Sequence, residues 1–231
     1  MFNRNSPFHL PVFGLVFLFY ILLLGFLFIV VQLQAIRYAF ETIGISSQNI
    51  FLLLLLCIFG SMINIPLTEI KASPQKISDK ITRFMNWRFK GFLGAKNRTI
   101  IAINVGGALI PLLISVYLLI THPWLIATNL FATLVMSAVV YKLARPVSGV
   151  GIGVPLLIPP VFAAFLGLIL GGDAAPVVAY TSGTLGTLIG ADIFNLKVIA
   201  RSGAPVASIG GAGTFDGVFL TGIIAVLLAS L

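Results

Sequence analysis

The chain has 231 residues, of which 59% are hydrophobic and 9% charged, with a formal net charge of +8. A mean hydropathy of +1.12 excludes an ordinary water-soluble domain, in which about 25% of residues carry charge. The basic excess reads as cytoplasmic loops of a membrane protein, not as a nucleic-acid surface.

In lipid, only helices and closed barrels satisfy the backbone. The apolar runs lack the period-2 alternation of a barrel strand. The expected fold class is therefore an all-α integral membrane protein, a bundle of about seven transmembrane helices.

A spanning helix needs about 20 apolar residues. Residues 1–67 hold the first two such segments, Pro11–Val31 and Ile50–Leu67. The first is longer than a signal-peptide core and no A-x-A-like site follows it, so it is expected to stay as a span. Cys57, the single cysteine, lies in the second. It has no ligand-spaced neighbour and reads as a packing residue.

Residues 68–98 form a basic loop with eight Lys and Arg side chains. Ser73-Pro74 suits a helix start. Beyond it, Ile77, Ile81, Phe84 and Met85 follow helical spacing. The pattern predicts a basic amphipathic helix on the inner leaflet, with anionic lipids as partners of residues 71–98.

Residues 99–231 supply five further segments: Thr99–Ile120, Trp124–Tyr141, Val154–Leu170, Ala175–Leu196 and Val206–Leu231. Pro155, Pro159 and Pro160 crowd the start of the third, which is expected to be kinked or partly re-entrant. Counted by alternate compartments, Lys and Arg divide thirteen to one. That bias predicts a cytoplasmic N-terminus and an external C-terminus in a multi-pass plasma membrane protein, with a prokaryotic inner membrane expected.

The two halves of the chain differ in texture. Residues 143–231 hold 15 of the 23 glycines. Gly183, Gly186 and Gly190 recur at helical spacing and predict one smooth face for close helix packing. Asn64, Asn104 and Asn129 read as interhelical hydrogen bonds.

Of six acids, Glu41, Glu69, Asp79 and Asp173 fall in loops. Asp192 and Asp216 fall in the last two segments, toward the cytoplasmic side. An aspartate at membrane depth costs roughly 2.5–3.5 kcal/mol and marks a candidate functional site. Two close carboxylates share one proton, so one can act as general base and the other as general acid. The structural alternative is that each locks its helix through Ser, Thr or backbone partners. Gly190, Thr187, Asn195, Gly211, Gly213 and Thr214 surround the pair in sequence and are the candidate substrate- or ion-binding residues. No phosphate loop, Rossmann fingerprint, zinc spacing or Ser-His-Asp order occurs, so no cofactor or metal is expected.

Through GTLGTLIGADIFNL and GAPVASIGGAGTFDG, residues 143–231 resemble a family of prokaryotic membrane proteins of unknown function. A second, more distant resemblance is to the intramembrane aspartyl proteases, the presenilin, signal-peptide-peptidase and prepilin-peptidase group. Those enzymes carry one Asp on each of two adjacent spans, the second in a Gly-x-Gly-Asp motif. That resemblance implies catalytic roles for Asp192 and Asp216, with Gly211-Ala212-Gly213 matching the glycines. In this sequence Thr214 and Phe215 stand between Gly213 and Asp216, Ala191 precedes Asp192, and no Pro-Ala-Leu follows.

The leading functional expectation is a diaspartyl intramembrane hydrolase. An ion- or proton-coupled transporter, symmetrised as a homo-oligomer, is the first alternative. A non-catalytic scaffold docking through the glycine face is the second.

Overall fold

A computed structural model of the chain describes residues 10–71, 98–147, 151–201, 206–211 and 217–231. The expected inner-leaflet helix and the residues Gly213, Thr214 and Asp216 lie outside these described residues.

The described chain is mostly helical. It begins with α1 (Leu10–Thr42) and α2 (Ser47–Gly60), and continues with α3 (Ile110–Thr121) and α4 (Ile126–Leu143). Then come α5 (Ile158–Leu170), α6 (Ala175–Thr187), the short α7 (Leu196–Arg201) and α8 (Gly217–Ala229). Three helical stretches are long and apolar enough to cross a membrane: Phe17–Thr42, Pro123–Leu143 and Gly172–Val198. Shorter apolar helices occupy Ser47–Gly60, Val105–Thr121, Ile158–Leu170 and Gly217–Ala229.

The chain divides into two compact units, Met1–Tyr38 and Ala39–Leu231. The first consists, in its described part, of the bulk of α1. Its side chains from Phe17 to Ile29 are all exposed, as suits an apolar helix whose solvent is lipid.

The second unit is built around α6, which packs against α4, α5 and α8. Glycines permit these approaches. A Cβ at Gly167 would sit 2.5 Å from the Ala175 carbonyl oxygen, joining α5 to α6. A Cβ at Gly222 would lie 2.6 Å from the Thr184 hydroxyl, joining α8 to α6. Pro111, Pro159, Pro160 and Pro176 all sit in first helical turns, where the missing N–H is harmless. The expected kink before Leu170 is thus a helix start. At 13 residues, α5 is about 20 Å long.

The all-α expectation requires a correction. Strands β1 (Asn64–Lys71), β2 (Arg98–Asn104) and β5 (Val206–Ile209) form a three-stranded sheet in the order β1-β2-β5. β1 and β2 are antiparallel, with Asn64 opposite Asn104, while β5 runs parallel to β2, with Ile209 beside Ile103. A two-stranded ribbon, β3 (Arg145–Val147) and β4 (Gly151–Gly153), lies apart from it. Three of the expected spans are therefore composites. Ile50–Leu67 is α2 running into β1, Thr99–Ile120 is β2 running into α3, and Val206–Leu231 is β5 followed by α8.

The physical reason is composition. Thr99, Ile100, Ile101 and Ile103 of β2 are β-branched and favour a pleated surface. Both faces of β2 are buried: Ile101 packs with Ala207, Ile209, Leu188 and Val218, while Ile100 and Ala102 cluster with Val206. A strand buried on both faces reads as a continuous apolar run and cannot be told from a helix by hydropathy.

Candidate functional site

The three strand–helix junctions converge, and glycines form the meeting surface. A Cβ on Gly106 would lie 2.0 Å from the Cys57 carbonyl oxygen, so the start of the third helical segment abuts the end of α2. A Cβ on Gly107 would lie 2.0 Å from the Gly210 carbonyl oxygen, and one on Gly210 would lie 2.4 Å from the Ala108 methyl. Gly210 and Gly211 have φ of +78° and +86°, a backbone region that disfavours other residues. They turn the chain sharply after β5, and Gly211 donates its N–H to the Ser208 carbonyl at 3.3 Å.

A polar network ties this convergence together. The Asn104 amide donates to the Ser61 carbonyl at 2.7 Å and to Asn64 Oδ1 at 3.1 Å. Asn104 Oδ1 accepts the Gly107 N–H at 2.7 Å. The Ser208 hydroxyl donates to Asn64 Oδ1 from β5. Asn104 is fully buried, and both its side-chain nitrogen and its side-chain oxygen are hydrogen-bonded.

Asp192 enters this region from the other side. Beyond Thr187, α6 widens into a π-helical stretch, Leu188–Ile193. Such wide turns free backbone groups and recur at functional sites. Asp192 is half-buried there, and its Oδ2 accepts the Gly210 N–H at 2.8 Å. The Gly210 peptide is thus clasped between Asp192 on one side and Gly107, held by Asn104, on the other.

The other sequence candidates separate into distinct roles. Asn195 is buried and donates its amide to the Gly190 carbonyl at 2.9 Å. It repairs a carbonyl that the wide turn leaves exposed, which is a local structural role. Gly190 meets the Ser137 carbonyl and Val140 of α4. Thr187 is buried with a hydroxyl that finds no partner among the described residues. Gly211 forms the turn beside Asp192's partner.

The single smooth glycine face requires a correction. Gly186 and Gly190 face Met136, Ser137 and Val140 of α4, whereas Gly183 faces Ala163 of α5 and Thr221 and Ala225 of α8. The surface is filled by the chain's own helices.

Asn64 and Asn104, expected to bond between helices, instead meet across paired strands, with Ser208 as a third member that sequence reasoning missed. Asn104 followed by Val-Gly-Gly carries a usable signal, because its side chain caps the segment that begins at Val105. Among the described residues, no group of His, Cys, Asp or Glu is arranged to hold a metal ion.

Residues 58–228 match the family described as protein of unknown function, DUF1614. The match covers more than half of the chain, which therefore belongs to that family. No curated protein and no solved structure matches it.

Proposed function

We propose that this DUF1614 chain is a multi-pass membrane hydrolase of the diaspartyl type, in which Asp192 and Asp216 act together on a peptide bond within the membrane. The observation that carries the reading is the placement of Asp192, a half-buried carboxylate at a wide helical turn where three glycine-lined junctions meet.

The second acid is argued through its chain neighbour. Gly183 of α6 faces Thr221 and Ala225, and Gly222 of α8 faces Tyr180 and Thr184. Those contacts set one level, near 183 and 223, and Leu188 and Val218 share a buried cluster at a second level, so the two helices are antiparallel. Extending their register brings Gly217, the first residue of α8, level with about Leu188. That is roughly one helical turn from Asp192, and Asp216 immediately precedes Gly217.

In the proposed reaction one carboxylate takes a proton from water as the oxygen attacks the carbonyl carbon. The other, protonated, carboxyl gives its proton to the leaving nitrogen. The Lys and Arg asymmetry of the loops supports seven crossings, a cytoplasmic N-terminus and a pair that opens toward the cytoplasm.

The test is cleavage of a helical, signal-like peptide by purified protein in proteoliposomes. Asp192→Asn and Asp216→Asn should each abolish it. Cleavage persisting in either variant sinks the reading.

A proton-coupled carrier is the second reading, favoured by the buried, unpartnered hydroxyls of Thr181 and Thr187 on the helix that bears Asp192. It requires solute uptake driven by a pH gradient and no peptide cleavage.

A further inference from the structure

We infer that the core of the helix bundle holds internal water, bound at Asn129 and Thr133 on the face of α4 that packs against α6, separate from the junction site at Asp192. Asn129 is 1% exposed, Thr181 is fully buried, and Thr133 and Thr187 are 7% and 3% exposed. Both amide atoms of Asn129 and the hydroxyls of all three threonines lack a hydrogen-bond partner among the described residues. Nearby hydroxyls behave otherwise. Ser137 donates to the Thr133 carbonyl at 2.6 Å, and Ser182 donates to the Val178 carbonyl at 2.7 Å.

The unpartnered groups of α4, Asn129 and Thr133, lie one turn apart on the face that meets α6. Gly186 faces Met136 and Ser137, and Gly190 faces Ser137 and Val140, so α4 and α6 run in the same direction. One turn back from that contact, Thr133 is level with Ser182 and Gly183. A further turn back, Asn129 is level with Val178 and Ala179. Thr181 and Thr187 lie on other faces of α6, about 140° and about 100° round from Gly186, and are not part of this group. The apolar neighbours there are small: Ala132, Ala163 and Ala179 are all fully buried.

Buried polar groups are almost always hydrogen-bonded, to protein or to ordered water. An amide with four bonding positions beside the Thr133 hydroxyl, neither with a partner among the described residues, is the kind of lining that retains internal water. In lipid the requirement is stricter, because no bulk solvent can intervene.

Met136 provides the reporter. It is fully buried and stands on the same face of α4 as Thr133. Hydroxyl radicals generated from water by an X-ray pulse oxidise side chains beside the water that produced them. The full chain in lipid nanodiscs would be pulsed, and methionine sulfoxide quantified by mass spectrometry, with exposed Met62 as the reference. Met136 should be oxidised in a dose-dependent way despite its burial. Asn129→Leu and the near-isosteric Thr133→Val should each lower its rate, relative to Met62, by about threefold or more as the water-binding groups are removed. No oxidation of Met136 in the unaltered chain overturns the inference. So does oxidation that persists at its original rate in both variants. Neither outcome depends on whether the protein is a hydrolase.

Discussion

The Gly210 N–H donates to Asp192 Oδ2 at 2.8 Å, across eighteen residues of chain. Gly210 has φ of +78° and its carbonyl rests against Gly107. One residue, Gly210, thus connects the half-buried Asp192 to the sheet junction.

Asp192→Asn keeps an oxygen that can accept the Gly210 N–H. The variant should unfold within about 1 kcal/mol of the parent, since a single hydrogen bond is worth about that much, while cleavage is lost. Cys57, the chain's single cysteine and 2% exposed, makes a thiol-reactive dye a direct reporter of unfolding. A large drop in stability would assign Asp192 a structural role instead.

Gly107→Ala and Gly210→Ala should both be severely destabilising. Each added methyl meets neighbouring atoms at 2.0 to 2.4 Å, and at Gly210 the backbone conformation adds strain. Losses of about 2–4 kcal/mol are expected for overpacking combined with strain. Gly25→Ala is the control: nothing lies within 4 Å of its added methyl, and alanine in a helix is favoured by roughly 0.5–1 kcal/mol. The dye assay should order the variants accordingly.

Asn104→Leu removes both donors and the acceptor of a buried amide. The Gly107 N–H and the Ser61 carbonyl then lose their bonds. Leaving such groups unsatisfied costs about 1–3 kcal/mol each. Asn104→Asp retains the acceptor for Gly107 and should fall between Leu and the parent, as measured by the midpoint of thermal unfolding.

Gly186→Leu should prevent correct folding, because its side chain would have to displace Met136, 2.3 Å from even a Cβ. Size-exclusion chromatography should show aggregation. A monodisperse, stable variant would mean that α4 and α6 can separate.

Much of this architecture was legible in the sequence. Hydropathy located the apolar helices found among the described residues. The sheet was not legible, because Ile100, Ile101 and Ile103 sit in a strand buried on both faces and read as the start of a span. The Asn64–Asn104–Ser208 cluster was hidden for the same reason, since its members meet only when the strands pair. The glycines at 183, 186 and 190 showed the periodicity of a helix face. Periodicity alone does not say which neighbour each one meets, and the three divide between different helices.

The parallel pairing of β2 with β5 joins Ile100 to Val206, and it has a consequence for biogenesis. A ribosome delivers the chain from its N-terminus, and α2, β1, β2 and α3 can associate as soon as they emerge. The third strand arrives only after α6 has been threaded, and long-range pairing of this kind is slow. Gly210 can reach Asp192 only at that last step. Until then the Gly210 contact to Asp192 is unmade, so the candidate site stays unassembled in the nascent protein until β5 has been synthesised.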